Sequence, residues 1–230
     1  MTDGQQHNSW DQAESQQGWI APEGWPVLAL AGAVTIFLTF VALPLGSFAL
    51  GLMIWLRYIL RLPARRIPDD PLAVLSPADG TVLDIIRDSA EPPAGTGIAA
   101  GHRVTIRTGL ADAQLQRSPM GGRIVDNFLI PGLFRSGDDP VLARRDNERR
   151  EITIESDDGA VALMVQIGSG TARQLVCRHG PGKYLPAGAP LGMARIGGIT
   201  DLFLPPEAEI RVSPGQTVLA GETVLAVRRS

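Results

Sequence analysis

Glu151-Ile-Thr-Ile-Glu-Ser-Asp-Asp-Gly-Ala-Val-Ala-Leu-Met-Val-Gln-Ile167 sets two runs of β-branched and aliphatic residues on either side of an Asp/Gly break. Runs of this length, bounded by turn formers, read as strands. The same texture continues outward at residues 81–86, 103–107 and 223–227, with Gly, Pro and Asp between the runs. Long amphipathic helical patterns are nearly absent. The sequence therefore predicts a mostly β domain over 63–230, an antiparallel sandwich or barrel-like fold. Its closing element is read as a hairpin at Val212-Ser-Pro-Gly-Gln-Thr-Val-Leu-Ala-Gly-Glu-Thr-Val224.

Before that domain the pattern changes. Residues 1–22 are rich in Gln, Ser, Asp and Gly without apolar periodicity, which reads as a disordered tail. They lack a charged n-region, so a cleavable signal peptide is disfavoured. From Trp25 to Leu56 no residue is ionisable. A hydrocarbon layer about 30 Å thick needs about 20 helical residues, so this stretch predicts an α-helical membrane segment over 23–62. Pro44 and Gly46 interrupt it, leaving one kinked span and a short helical hairpin as alternatives. Trp19, Trp25 and Trp55 lie near its ends, where indole suits the headgroup layer. Arg57, Arg61, Arg65 and Arg66 follow at once, and positive-inside statistics put such a cluster on the cytoplasmic face. The expected location is the inner membrane with the β domain on the cytoplasmic side. The same arginines are candidates for anionic headgroups, with a topological role the simpler account.

The net charge of -3 hides an asymmetry. Residues 1–56 hold four acids and no base, so the remainder carries 21 basic against 20 acidic groups, a net +1. A domain this near neutrality has no field to attract a polyanion, which argues against nucleic acid as a partner. The single cysteine, Cys177, excludes an intramolecular disulfide and a multi-cysteine metal site. Within Gln174-Leu-Val-Cys-Arg178 it reads as a small core residue on a strand.

Four segments occur in order along the domain: Leu75-Ser-Pro-Ala-Asp-Gly-Thr-Val82, Asp112-Ala-Gln-Leu-Gln-Arg-Ser-Pro119, Pro131-Gly-Leu-Phe134 leading to Asn147-Glu-Arg149, and Arg195-Ile-Gly-Gly-Ile-Thr-Asp-Leu-Phe-Leu-Pro205. Together with the apolar segment before them, they resemble the compact bacterial phosphatidylserine decarboxylases over roughly residues 24 to 228. The resemblance implies carbanion chemistry at an α-amino acid, with a pyruvoyl carbonyl as electron sink. It also implies that the pyruvoyl group is made from the chain itself. At a Gly-Ser bond the hydroxyl attacks the preceding carbonyl, the resulting ester is cleaved by β-elimination, and imine hydrolysis leaves pyruvoyl on the new N-terminus.

The matching pair here is Gly197-Gly198, and glycine has no Oγ with which to begin. The family's catalytic histidine falls on Gln114, whose amide cannot serve as a general base near neutral pH. Asp79, the family's acidic position, is retained, and Asp-Gly between two β runs also reads as a turn, the role favoured for it. Asn147, Glu148, Arg149 and Arg195 are the candidates for substrate binding. His7, His102 and His179 lie outside the matched positions, and strand-end or surface roles are expected for the latter two. Gly168-Ser169 is a second Gly-Ser bond, but cutting there would divide the domain elsewhere, and Thr200 lies two residues past the matched bond.

These departures predict a chain with no cofactor of its own, a pseudoenzyme that binds membrane phospholipid, a second copy or an active paralogue. A working decarboxylase and a membrane-tethered adaptor are the alternatives. The adaptor rests on the likeness of Pro214–Val224 to lipoyl-type hairpins, yet the only lysine, Lys183, lies outside that segment.

Overall fold

The computed structural model describes residues 24–94, 96, 98–135, 139–170, 175–194 and 197–229. The tail expected over 1–22 lies outside them. The chain divides into two compact units, Met1–Ala64 and Arg65–Ser230.

In the first unit, helix α1 (Trp25–Val41) and helix α2 (Leu43–Ile59) form an antiparallel hairpin. The expected break is present, but it falls at Ala42, whose backbone is extended. Pro44 then sits in the first turn of α2, where its missing N–H costs nothing. Gly46 is not a breaker. It lies inside α2 against Thr39, and an added Cβ would come within 2.8 Å of the Thr39 Cα. Each helix has 17 residues, and none of the described helices is long and apolar enough to cross a membrane.

The second unit is mostly β and antiparallel, as expected, but it is neither a two-sheet sandwich nor a closed barrel. Eight strands form one curled sheet in the order β13-β2-β3-β11-β7-β6-β5-β9, with β9 at Tyr184–Leu185 and β13 at Thr217–Val218; two three-stranded sheets lie beside it, β1-β14-β12 (Ala73–Leu75, Val224–Val227 and Glu209–Ile210) and β4-β10-β8, with β10 at Pro190–Ala194. The strands that matter most are β2 (Gly80–Ala90), β3 (Gly101–Thr108), β4 (Leu115–Arg117), β5 (Gly122–Ile130), β6 (Arg149–Glu155), β7 (Val161–Ile167) and β11 (Gly198–Leu204). The opening stretch forms β6 and β7, paired from Glu155↔Val161 to Arg149↔Ile167. The expected closing hairpin is absent. Thr217–Val218 pairs with β2 in the large sheet, whereas Val224–Val227 pairs with β1 and β12. A bend carries the chain between sheets there, which removes the likeness to an exposed lipoyl-type hairpin.

β11 runs through the centre of the large sheet, between β3 and β7, and both of its faces are buried. Ile199 and Phe203 pack with Leu163, Val165, Ile167, Ala90 and Ala143. Ala143 belongs to a short helix that the strand pattern did not suggest, α3 (Pro140–Asp146), capped by the Asp139 carboxylate accepting from the Val141 and Leu142 N–H groups. Two polar residues nevertheless interrupt β11. Asp201 is satisfied by Arg144 of α3 (Nε to Oδ2, 2.6 Å) and by the Thr105 hydroxyl (2.7 Å). Thr200 accepts from Gln116 Nε2 at 2.8 Å, and Gln116 in turn accepts from Gln166. Buried polar groups of this kind cost stability unless partnered, so they fix which neighbours β11 can have.

Candidate functional site

The starts of β2 and β11 and the end of β3 meet at one rim of the large sheet. Register does this: Gly198 lies opposite Thr108, and Arg107 lies opposite both Ile199 and Thr81. Gly80 is needed there, because an added Cβ would run into the Arg107 carbonyl. Three positions widely separated in sequence, Asp79, Gln114 and Gly197-Gly198, are thereby brought to one neighbourhood.

Gln114 is nearly inaccessible, at 1% exposure, and its carboxamide is fully used. Nε2 donates to the carbonyls of Gly109 (3.0 Å) and Asp112 (2.8 Å). Oε1 accepts the Gly197 N–H at 2.6 Å. The loop itself is closed by the Asp112 carboxylate accepting the Gly109 N–H at 2.7 Å. A side chain with these partners is a clasp between the 109–114 loop and β11, and it has no proton to exchange near neutral pH. Gly197 and Gly198 both adopt positive φ, 83° and 132°, a region that L side chains rarely occupy.

Asp79 is buried at the bend between β1 and β2. Its Oδ1 accepts the Ala220 N–H at 2.7 Å, and its Oδ2 pairs with Arg65 at 2.5 Å. Its backbone carbonyl accepts the Thr108 hydroxyl at 2.8 Å, which links it to the residue opposite Gly198. The expected turn is therefore a bend between two sheets, and the carboxylate joins the segment entering the domain to the 219–221 turn. Arg65, grouped by the sequence with exposed arginines, is withdrawn from that group by its ion pair. Arg57 and Arg66 remain exposed.

Three of the four substrate-binding candidates, Asn147, Glu148 and Arg149, are consecutive residues leading into β6. Asn147 is buried and latches the 131–135 strap. Its Oδ1 accepts the Arg135 N–H at 2.9 Å, and its Nδ2 donates to the carbonyls of Arg135 (3.0 Å) and Gly168 (2.7 Å). Glu148 supports the same strap through backbone bonds, its N–H donating to Leu133 and its carbonyl accepting from Gly168. Arg149 Nε donates to Glu151 at 2.8 Å. Arg195 lies outside the described residues.

His102 and His179 lie at or just beyond strand ends. His102, at the start of β3, accepts the Asp88 N–H at Nδ1 (3.1 Å), which leaves Nε2–H facing the Pro206 carbonyl at 3.0 Å. His179 Nε2 faces the Pro190 carbonyl at 3.2 Å, and burial holds its imidazole below the ordinary value. His7 lies outside the described residues. Cys177 is half-buried on β8 (Leu175–Cys177), and burial pushes its thiol up, away from the reactive thiolate. Ser169 and Thr200 are both buried. Among the described residues no group of three or more His, Cys, Asp or Glu side chains could hold a metal ion.

Arg65, Thr108 and the Arg144–Asp201 pair were not foreseen as site residues. The polar Thr200-Asp201 step inside an otherwise apolar strand was the signal for the last of these.

The phosphatidylserine decarboxylase family model matches residues 52–226. The chain is 34% identical over 211 residues to a phosphatidylserine decarboxylase proenzyme of Beijerinckia indica, covering 92% of this chain and 90% of that one. It is 36% identical over 208 residues to a proenzyme of the same description from Ruegeria pomeroyi, covering 89% and 93%. A third, from Geotalea uraniireducens, is 34% identical over 209 residues, covering 90% and 96%.

Proposed function

The chain belongs to the phosphatidylserine decarboxylase family, and on that premise we propose that it serves phospholipid metabolism as a member that does not process itself and does not decarboxylate. The family takes its pyruvoyl group from its own chain, so no external cofactor is expected. The residues at the matching bond do not fit that group. The single observation that carries the reading is Gly198, which has no Oγ to attack the Gly197 carbonyl. Its support is the neighbour across the rim: Gln114 holds the Gly197 N–H in the uncut chain and offers no base.

In this reading the protein is a lipid-binding or partner-binding pseudoenzyme at the inner membrane, with the β domain on the cytoplasmic side. Its partner is anionic phospholipid, a second copy or an active paralogue. The retained Asp79 is a structural counter-ion of Arg65. The hairpin of α1 and α2 supplies membrane association. Phe37, Phe40, Leu43 and Phe48 are each more than two-thirds exposed on it, an apolar surface that water does not favour.

Intact mass of the purified full-length protein tests this, combined with release of carbon dioxide from phosphatidylserine vesicles. One species near 24.5 kDa and no carbon dioxide is expected. Two fragments, the smaller with a ketoacyl N-terminus, or turnover of the lipid, would restore the alternative of a working decarboxylase.

A further inference from the structure

Two contacts fix how the helices of the hairpin lie together. Gly46 of α2 faces Thr39 of α1, and a Cβ on Gly32 would sit 3.9 Å from the Met53 sulfur. Both pairings are symmetric about the Ala42–Leu43 bond, so the helices run side by side and the Trp25 and Ile59 ends lie at one end of the hairpin. The other end, residues 40–45, is Phe-Val-Ala-Leu-Pro-Leu. Phe40 is 88% exposed and Leu43 is 75% exposed there.

The Thr and Ser hydroxyls within the hairpin are satisfied from inside. The Thr35, Thr39 and Ser47 hydroxyls donate to the carbonyls of Ala31 (2.8 Å), Thr35 (2.8 Å) and Leu43 (3.0 Å), each one turn back. The break itself is bonded in part. The Ala42 N–H donates to Leu38 O at 2.9 Å, and the Ala42 carbonyl accepts from Leu45 and Gly46, both at 3.1 Å. Pro44 brings no donor. Such internal bonding suits hydrocarbon, which offers no partner to a polar group. At 1.5 Å per residue each 17-residue helix is about 25 Å long, short of a hydrocarbon layer about 30 Å thick. The open end carries Trp25, Tyr58 and the exposed Arg57, which suit a headgroup layer.

We propose that this hairpin enters and leaves the bilayer through a single face, with its 40–45 apex resting in hydrocarbon, so that the chain before α1 and the β domain after α2 remain on the same side of the membrane. The occupant of the apolar surface is the lipid bilayer. A pair of complete crossings would place Phe40, Val41, Leu43 and Leu45 in water on the far side, which their apolar surface disfavours. The inference rests on the membrane association proposed above and adds the mode of insertion.

Single-cysteine labelling of the full chain in sealed membrane vesicles of both orientations tests it. In a Cys177→Ser background, Ser15→Cys, Glu207→Cys and Ala42→Cys are each treated with a membrane-impermeant maleimide. Labelling of the first two from the same face only is expected, with Ala42→Cys protected from both faces until detergent is added. Labelling of Ala42→Cys from the opposite face shows two crossings, and labelling from the shared face shows a hairpin that is not inserted. Either result overturns the proposal. Leu43→Cys serves as a second apex position where Ala42→Cys yields no folded protein. Loss of the unaltered protein to the supernatant on vesicle sedimentation would instead remove the membrane association on which the inference rests.

Discussion

Gln114 Oε1 accepts the Gly197 N–H at 2.6 Å, joining the 109–114 loop to the backbone that enters the central strand β11. Here the pair forms a static bond between a loop and the central strand. Gln114 thus fills the space beside residue 197 and holds the backbone there.

Gln114→Ala removes three hydrogen bonds and strands buried backbone groups. Its cost is about 2–3 kcal/mol, given the desolvation penalty of unsatisfied buried groups. Urea unfolding should show a lower midpoint at an unchanged slope. A midpoint equal to that of the unaltered chain would mean that the carboxamide is not a clasp.

Gly198→Ser alone restores a hydroxyl without a base, on a backbone whose φ of 132° suits glycine. It should remain a single chain and lose stability by about 1–3 kcal/mol from the strained conformation. Gly198→Ser with Gln114→His supplies both groups, and mass spectrometry should then find cleavage between residues 197 and 198. An intact double variant would show that the rim has changed at further positions.

Asp79→Ala leaves Arg65 buried without its counter-ion and the Ala220 N–H without an acceptor. Breaking a buried pair in this way costs about 3–5 kcal/mol. Arg65→Met, which removes the charge and keeps much of the volume, should cost less. A double-mutant cycle should give a coupling of about 0.5–3 kcal/mol between the two sites. Additive effects would contradict an ion pair.

Asn147→Ala releases the 131–135 strap from both Arg135 and the Gly168 carbonyl. Hydrogen exchange at residues 132–135 should accelerate well before β6 and β7 lose protection, because local opening costs less than global unfolding. Equal acceleration throughout the sheet would assign Asn147 to global stability instead.

Burial holds the His179 imidazole below its ordinary value of 6.5, so the folded protein takes up that proton at lower pH than the unfolded chain does. The resulting stability is fully present above about pH 6.5 and is lost as pH falls through that value towards the folded pKa. Urea midpoints should therefore decline between about pH 7.5 and 5.5, and His179→Gln should flatten that decline. An identical slope in the variant would assign it to other groups.

The β character of the domain, the break in the N-terminal apolar segment and the family were all legible in the chain. Alternating apolar runs, Pro44 and the four ordered motifs are local signals, and a missing Oγ at residue 198 is a fact of composition that folding does not alter. The likeness of residues 212–224 to a hairpin misled because two short β runs around a Gly turn look alike whether they pair with each other or with different sheets.

What tertiary structure decided is who meets whom. Residue 114 lies 83 positions from Gly197, and Arg65 lies 14 from Asp79. No propensity or spacing rule specifies such encounters, because they follow from strand register and from the need of each buried polar group for a partner. The sequence by itself therefore determined which side-chain atoms stand at this rim, and packing determined which of them meet and hold the chain together there.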